Sequence, residues 1–211
     1  MIRRLACVLP VVALALMPLP RHAAAATPQL VRGAIESVAP GGMVVADRTG
    51  VRVDVELIDP LTVLIARPLE QTAIAVGRNI GVVATQAQDG SLQAVQLLVL
   101  GDGLPTAKDG GVRPDVRPDI PWDMQPGSIM VAGRLTGRQE RDGVQQLTVS
   151  NRDGTKVIFV PPKTPVAAVL PAARSDLKAG AIVFLTGLAG PDGTVAASRV
   201  IVSTGGSNPP M

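Results

Sequence analysis

The chain has 211 residues, 46% hydrophobic and 18% charged, with Trp122, Phe159 and Phe184 as its only aromatic residues. That length suits one or two small domains, whose cores must come from Val, Leu, Ile and Ala. Its sole cysteine, Cys7, and sole histidine, His22, both lie within residues 1–26, so the remaining chain excludes disulfides, thiol nucleophiles and imidazole acid–base chemistry.

Residues 1–26 read as a secretory signal peptide. Arg3 and Arg4 supply the positive start, Leu5 to Leu19 the apolar stretch, and Ala24-Ala25-Ala26 the small-residue site, which puts cleavage before Thr27. The apolar stretch is too short to span a bilayer, and no later run is longer. The expectation is a periplasmic or secreted protein with no membrane span after cleavage. The leader holds three of the 20 basic residues (Arg3, Arg4, Arg21) and no acid, leaving 17 basic against 17 acidic residues. The net charge of +3 thus belongs to the leader, and no basic excess remains to favour nucleic acid or an anionic membrane.

From Thr27 onward one pattern occurs twice, at an offset of about 103 residues. Met43–Leu57 resembles Leu147–Val160, Asp59–Ala66 resembles Pro161–Val169, Val76–Ala84 resembles Ala179–Gly187, and Asp89–Val99 resembles Asp192–Val202. Val51, Val53, Val55 and Leu57 alternate with Arg52, Asp54 and Glu56, the mark of a strand with one buried face. Asp47-Arg48-Thr49-Gly50, Asn151-Arg152-Asp153-Gly154, Asp89-Gly90 and Asp192-Gly193 are hairpin turns, where glycine permits positive φ. An extra strand is expected at Thr62–Ile65 and at Val166–Val169. Leu69, Ala73 and Val76 fall at helical spacing before Gly77, and Ser175 and Gly180 frame a second short helix.

The predicted fold is therefore all-β: two tandem, small OB-like barrels of five to six strands, each with one short helix. They occupy residues 27–100 and 128–204, with a tail at 205–211. Residues 101–127 lack periodicity, are rich in Pro, Gly and Asp, and read as a linker.

With these segments in order, the chain resembles a family of exported bacterial proteins of unknown function, frequent in alphaproteobacteria, with OB-like modules. The resemblance rests on VRGAIESV (Val31–Val38), PWDMQPGSIM (Pro121–Met130), VPPKTPV (Val160–Val166), DLKAGA (Asp176–Ala181) and the closing Pro209–Met211. Such proteins are sometimes labelled metal ABC transporter permeases, which implies membrane helices that this sequence lacks. The resemblance also implies a histidine just before Pro-Trp-Asp, where this chain has Asp119 and Ile120.

The residues left for chemistry are few. Most aspartates sit beside glycine in turns, where a carboxylate bonds its own backbone, so no enzyme and no cofactor are expected. Asp115, Asp119 and Asp123 recur every four residues in the linker and offer hard oxygens of the kind Ca²⁺ takes. A single-strand nucleic-acid reading of OB-like barrels needs a basic groove and stacking aromatics, both scarce here. The remaining reading is a non-enzymatic binding or structural module for an envelope protein, peptide or glycan. Its candidate contact residues are Arg117, Asp119, Trp122 and Asp123 in the linker. Trp122 is expected to pin the linker against the second barrel, because an indole is costly to leave in water.

Overall fold

The computed structural model describes residues 27–102, 119–122 and 124–203, except the Ile120 side chain. The described chain is all-β, and none of its helices is long and apolar enough to cross a membrane. The first half supplies β1 (Thr27–Ala39), β2 (Gly42–Asp47), β3 (Arg52–Pro68), β4 (Asn79–Gln86) and β5 (Leu92–Leu100). After a two-residue β6 (Ile120–Pro121), the second half repeats the series. Its strands are β7 (Ile129–Arg141), β8 (Val144–Asn151), β9 (Gly154–Val160), β10 (Val166–Ala172), β11 (Ile182–Ala189) and β12 (Val195–Ser203).

The turns follow their local chemistry. Gly50, Gly90, Gly154 and Gly193 all take positive φ, as the hairpin signals require. Each turn aspartate or asparagine binds nearby donors: Asp47 Oδ1 accepts from the Thr49 and Val51 N–H groups, and Asn151 Oδ1 from the Asp153 N–H. Gly33 and Gly133 lie at equivalent points of β1 and β7, where the neighbouring strand leaves no room for a side chain. A Cβ on Gly33 would stand 1.9 Å from the Ala46 carbonyl oxygen, and one on Gly133 2.5 Å from that of Ser150.

The pairings close a five-stranded barrel. β1 pairs with β2 and β2 with β3; β3 pairs in parallel with β12, β12 with β11, and β11 returns to β1. A second ring follows the same cyclic order. β7 pairs with β8 and β8 with β9; β9 touches β5 in parallel at Leu92↔Ile158 and Gln93↔Phe159, β5 pairs with β4, and β4 returns to β7. The rings therefore do not coincide with the two sequence modules. Each takes three strands from one half of the chain and its last hairpin from the other.

The connection is made by β3 and β10. Early in β3, Val55 and Leu57 are buried while Arg52, Asp54 and Glu56 are exposed, the expected alternation. Val63–Ala66 is buried on both faces because β3 is an interior strand there, still paired in parallel with Val200–Ser203 of β12 on one side and covered by a neighbouring strand on the other. There it pairs antiparallel with β10, and Ala66 lies opposite Val169, its own counterpart in the repeat. A pseudo-twofold axis passes through that pair. The predicted extra strands are real: the first is the second half of β3, the second is β10.

Each ring encloses its own core. Val31, Ile35, Met43, Val55, Leu185 and Val200 fill the first. Val131, Leu135, Leu147, Ile158, Val82 and Leu97 fill the second. A third cluster, including Leu64, Ala66, Leu98, Val169, Phe184 and Ile201, seals the two rings together.

The two expected helices are a correction. Each is a single 3-10 turn, Gln71–Ala73 and Arg174–Asp176. Leu69, Ala73 and Val76 do not form a buried face: Ala73 and Val76 are exposed, and Ile74 is the anchor, 1% exposed. Gly77 and Gly180 then take positive φ and turn the chain into the next strand. Ser175 is not the cap; the Asp176 carboxylate accepts the Ala173 N–H at 2.9 Å.

Candidate functional site

Of the linker residues singled out in the sequence, Arg117 and Asp123 lie outside the described residues, as does Asp115. Asp119 and Trp122 flank β6, which pairs with β7 through Ile120↔Met130 and Pro121↔Ile129, and the two point to different surroundings. Asp119 joins the β8–β9 turn. Its carboxylate accepts from Asn151 Nδ2 at 2.9 Å and meets Lys156 Nζ at 2.5 Å, while its N–H donates to Asp153 at 2.8 Å. With its oxygens engaged by Asn151 and Lys156, Asp119 serves the turn's structure. Among the described residues no group of three or more His, Cys, Asp or Glu is gathered for a metal ion.

Trp122 is half-buried in the cluster between the rings. Its ring lies 5.8 Å from that of Phe184, inclined at 42°. Phe184 in turn receives the Arg32 guanidinium 5.2 Å from its centroid. The Trp122 backbone is fixed as well: its N–H donates to the Ser128 carbonyl at 2.8 Å, and the buried Ser128 hydroxyl sits between the Trp122 and Gln125 carbonyls at 2.9 and 2.8 Å. The tryptophan packs against this cluster, and its aromatic partner Phe184 lies within residues 128–204, on β11, a strand that closes the first ring.

A concavity among the described residues lies elsewhere, where the chain's halves meet. A groove of about 490 Å³ is lined by residues 68–71, Gln96 and residues 162–167, within the range of small-ligand sites. One wall follows the end of β3 and the 3-10 turn after it. The other is the loop Pro161-Pro162-Lys163-Thr164-Pro165 entering β10. Three prolines limit that loop's freedom, and a side chain fastens it across the groove. Gln71 Nε2 donates to the carbonyls of Pro161 at 3.2 Å and Thr164 at 3.0 Å, 90 and 93 residues away. Thr164 is buried, and its hydroxyl donates back to Pro161 O at 2.8 Å.

Two features set this loop apart from an ordinary strand connection. Lys163 takes φ 71°, a left-handed conformation that a side chain rarely adopts without support from its surroundings. Gln96 is 5% exposed, yet its Oε1 makes no hydrogen bond. Leaving such an acceptor unmet costs about 1–3 kcal/mol. Glu70 and Lys163, both exposed, carry opposite charges on the rim, and neither is in an ion pair among the described residues. Glu70 precedes the 3-10 turn without capping it through its side chain.

The clearly shifted carboxylates are all in turns. Asp47 is held below the usual carboxylate range chiefly by the Thr49 hydroxyl, Asp89 by the Ser91 hydroxyl and Asp192 by the Thr194 N–H. Each of these groups stabilises the fold of its own hairpin.

No family model matches the chain, and no curated protein or solved structure matches it. The groove residues escaped the sequence reading. Pro161–Val166 stood out only as a motif, and the one local signal for Gln96 was a polar residue followed directly by the apolar run Leu97–Leu100.

Proposed function

We propose that this protein is a non-enzymatic, exported binding module made of two OB-like rings, and that its binding surface is the groove at residues 68–71 and 162–167. The supporting observation is Gln96: a buried carboxamide with an unmet acceptor at a preorganised groove is costly for stability alone and useful to a ligand bearing a donor. The OB-like reading rests on ring order. Numbering each ring's strands by their place in the repeat gives 1-2-3-5-4, with a parallel contact between the third and fifth. Export rests on residues 1–26 as a leader, and the ligand is a peptide, glycan or protein segment of the envelope.

The test is a titration of the ¹⁵N-labelled chain, begun at Thr27, with peptide and glycan fractions of the envelope. Chemical-shift changes should concentrate at residues 68–71, 96 and 162–167, and Pro165→Arg, which crowds the groove from an exposed position, should suppress them. Changes confined to the strand faces of either ring, or unaffected by Pro165→Arg, would move the binding surface elsewhere.

A further inference from the structure

The charges on the groove's rim specify its ligand further. Glu70 offers a carboxylate from one wall and Lys163 an ammonium from the other. The left-handed backbone at Lys163 is held by prolines on either side of it and by the Gln71 bridge to Pro161 and Thr164, so this cation is presented from a fixed loop. Apart from Gln71, Gln96 and Thr164, the rest of the lining is aliphatic: Pro68, Leu69, Pro162, Pro165, Val166 and Ala167. No aromatic side chain lines the groove, and the single buried amide of Gln96 is a sparse match for the many hydroxyls of a glycan.

We infer that the groove between Glu70 and Lys163 binds a short apolar peptide with both termini free. The peptide's α-ammonium meets Glu70, its α-carboxylate meets Lys163, and its side chains lie on the prolines and aliphatic residues. A backbone N–H of the peptide supplies the donor that Gln96 Oε1 lacks, with the carboxamide turning to meet it. Charge pairing at both ends selects free termini over the interior of a longer chain, because a continuing peptide bond replaces each charge with a neutral amide. This specificity rests on the groove being the binding surface.

Calorimetry with divaline, N-acetyl-divaline and divaline amide tests it on the full chain from Thr27. Divaline should bind, and capping either end should weaken binding about tenfold or more. Glu70→Gln should remove the penalty of N-acetylation only. Lys163→Asn, which keeps a residue tolerant of left-handed φ, should remove the penalty of amidation only. Equal affinity for the free and capped peptides would overturn recognition of the termini while leaving an apolar binding groove in place. No heat with divaline up to its solubility limit would overturn the inference. Fractions that still shift residues 162–167 in that case would keep the groove as a binding surface for a different ligand.

Discussion

The two rings have matching cores and different exits. Val31 and Val131, Ile35 and Leu135, Met43 and Leu147, Leu185 and Val82 occupy equivalent places in the first and second cores. At the loops the match ends. After β3 the second ring has Gln71, which ties down Pro161 and Thr164 across the groove. At the equivalent point the first ring has Arg174, which donates to the Pro40 carbonyl and lies 3.7 Å from Asp59. Gln96, buried with an unmet acceptor, has Arg199 as its counterpart. The junction is unequal too: Phe184 of β11, with Trp122 against it, stands where β4 has Gly81. A duplicated framework keeps its core residues because both copies must fold, while its loops and junction are free to diverge toward separate tasks.

The largest effects are expected in the cores. Ile35→Ala and Leu135→Ala each remove a residue at most 2% exposed, one from each ring, and each should cost about 2–5 kcal/mol. Because each ring borrows its last hairpin from the other half, both variants should lower the midpoint of one shared unfolding transition, read by calorimetry. Two separate transitions, only one of them shifted in each variant, would mean that the rings are energetically independent.

The loops should respond unequally. Gln71→Ala breaks two partly buried hydrogen bonds and should cost about 1–2 kcal/mol in urea unfolding. Arg174→Ala removes an exposed hydrogen bond to the Pro40 carbonyl and an exposed contact with Asp59, and should cost about 0.2–1 kcal/mol. Equal losses would erase the distinction between a fastened loop and a solvated one.

The smallest effect concerns acid. The carboxyls of Asp47 and Asp192, in the first ring, and Asp89, in the second, have folded-state pKa values below their ordinary range. A depressed folded pKa contributes stability above the unfolded value, about 3.9, and loses it as pH falls through the folded value. Changing all three residues to Asn should flatten the acid limb of a plot of Tm against pH below about pH 4. An unchanged acid limb would show that these turns do not couple to stability. Site-resolved NMR titration should find each carboxyl below the usual value.

What was legible in the sequence was local. The Asp-Gly and Asn-Arg-Asp-Gly turns and the extra strands at Thr62–Ile65 and Val166–Val169 depend on neighbouring residues, and each is found in place. The alternation expected from Val51 to Leu57 holds only at its end: Val55 and Leu57 are buried, Val53 is half-buried, and Val51 is exposed in the turn before β3. The exchange of hairpins was not legible for a physical reason. Val82 and Leu185, or Leu97 and Val200, are interchangeable apolar residues at equivalent points, so β4–β5 and β11–β12 fit either core by composition. Only the path of β3 and β10 through the junction decides between them. The helical spacing of Leu69, Ala73 and Val76 misled because Ile74, outside that pattern, is the residue the core takes. The groove was hidden similarly: Glu70, Gln71, Gln96 and Lys163 are dispersed in sequence and meet only after the halves cross.

An engineered disulfide tests the crossing directly. Asn79 on β4 and Arg134 on β7 are exposed and stand opposite each other on adjacent strands of the second ring, although they come from different halves. In a chain begun at Thr27, Asn79→Cys with Arg134→Cys should form an intramolecular disulfide in dilute monomer, seen on a non-reducing gel and placed by mass spectrometry. The pairing that self-contained modules require is tested by Arg134→Cys with Ile182→Cys, which should stay reduced. A disulfide between positions 134 and 182 with none between 79 and 134 would contradict the exchange.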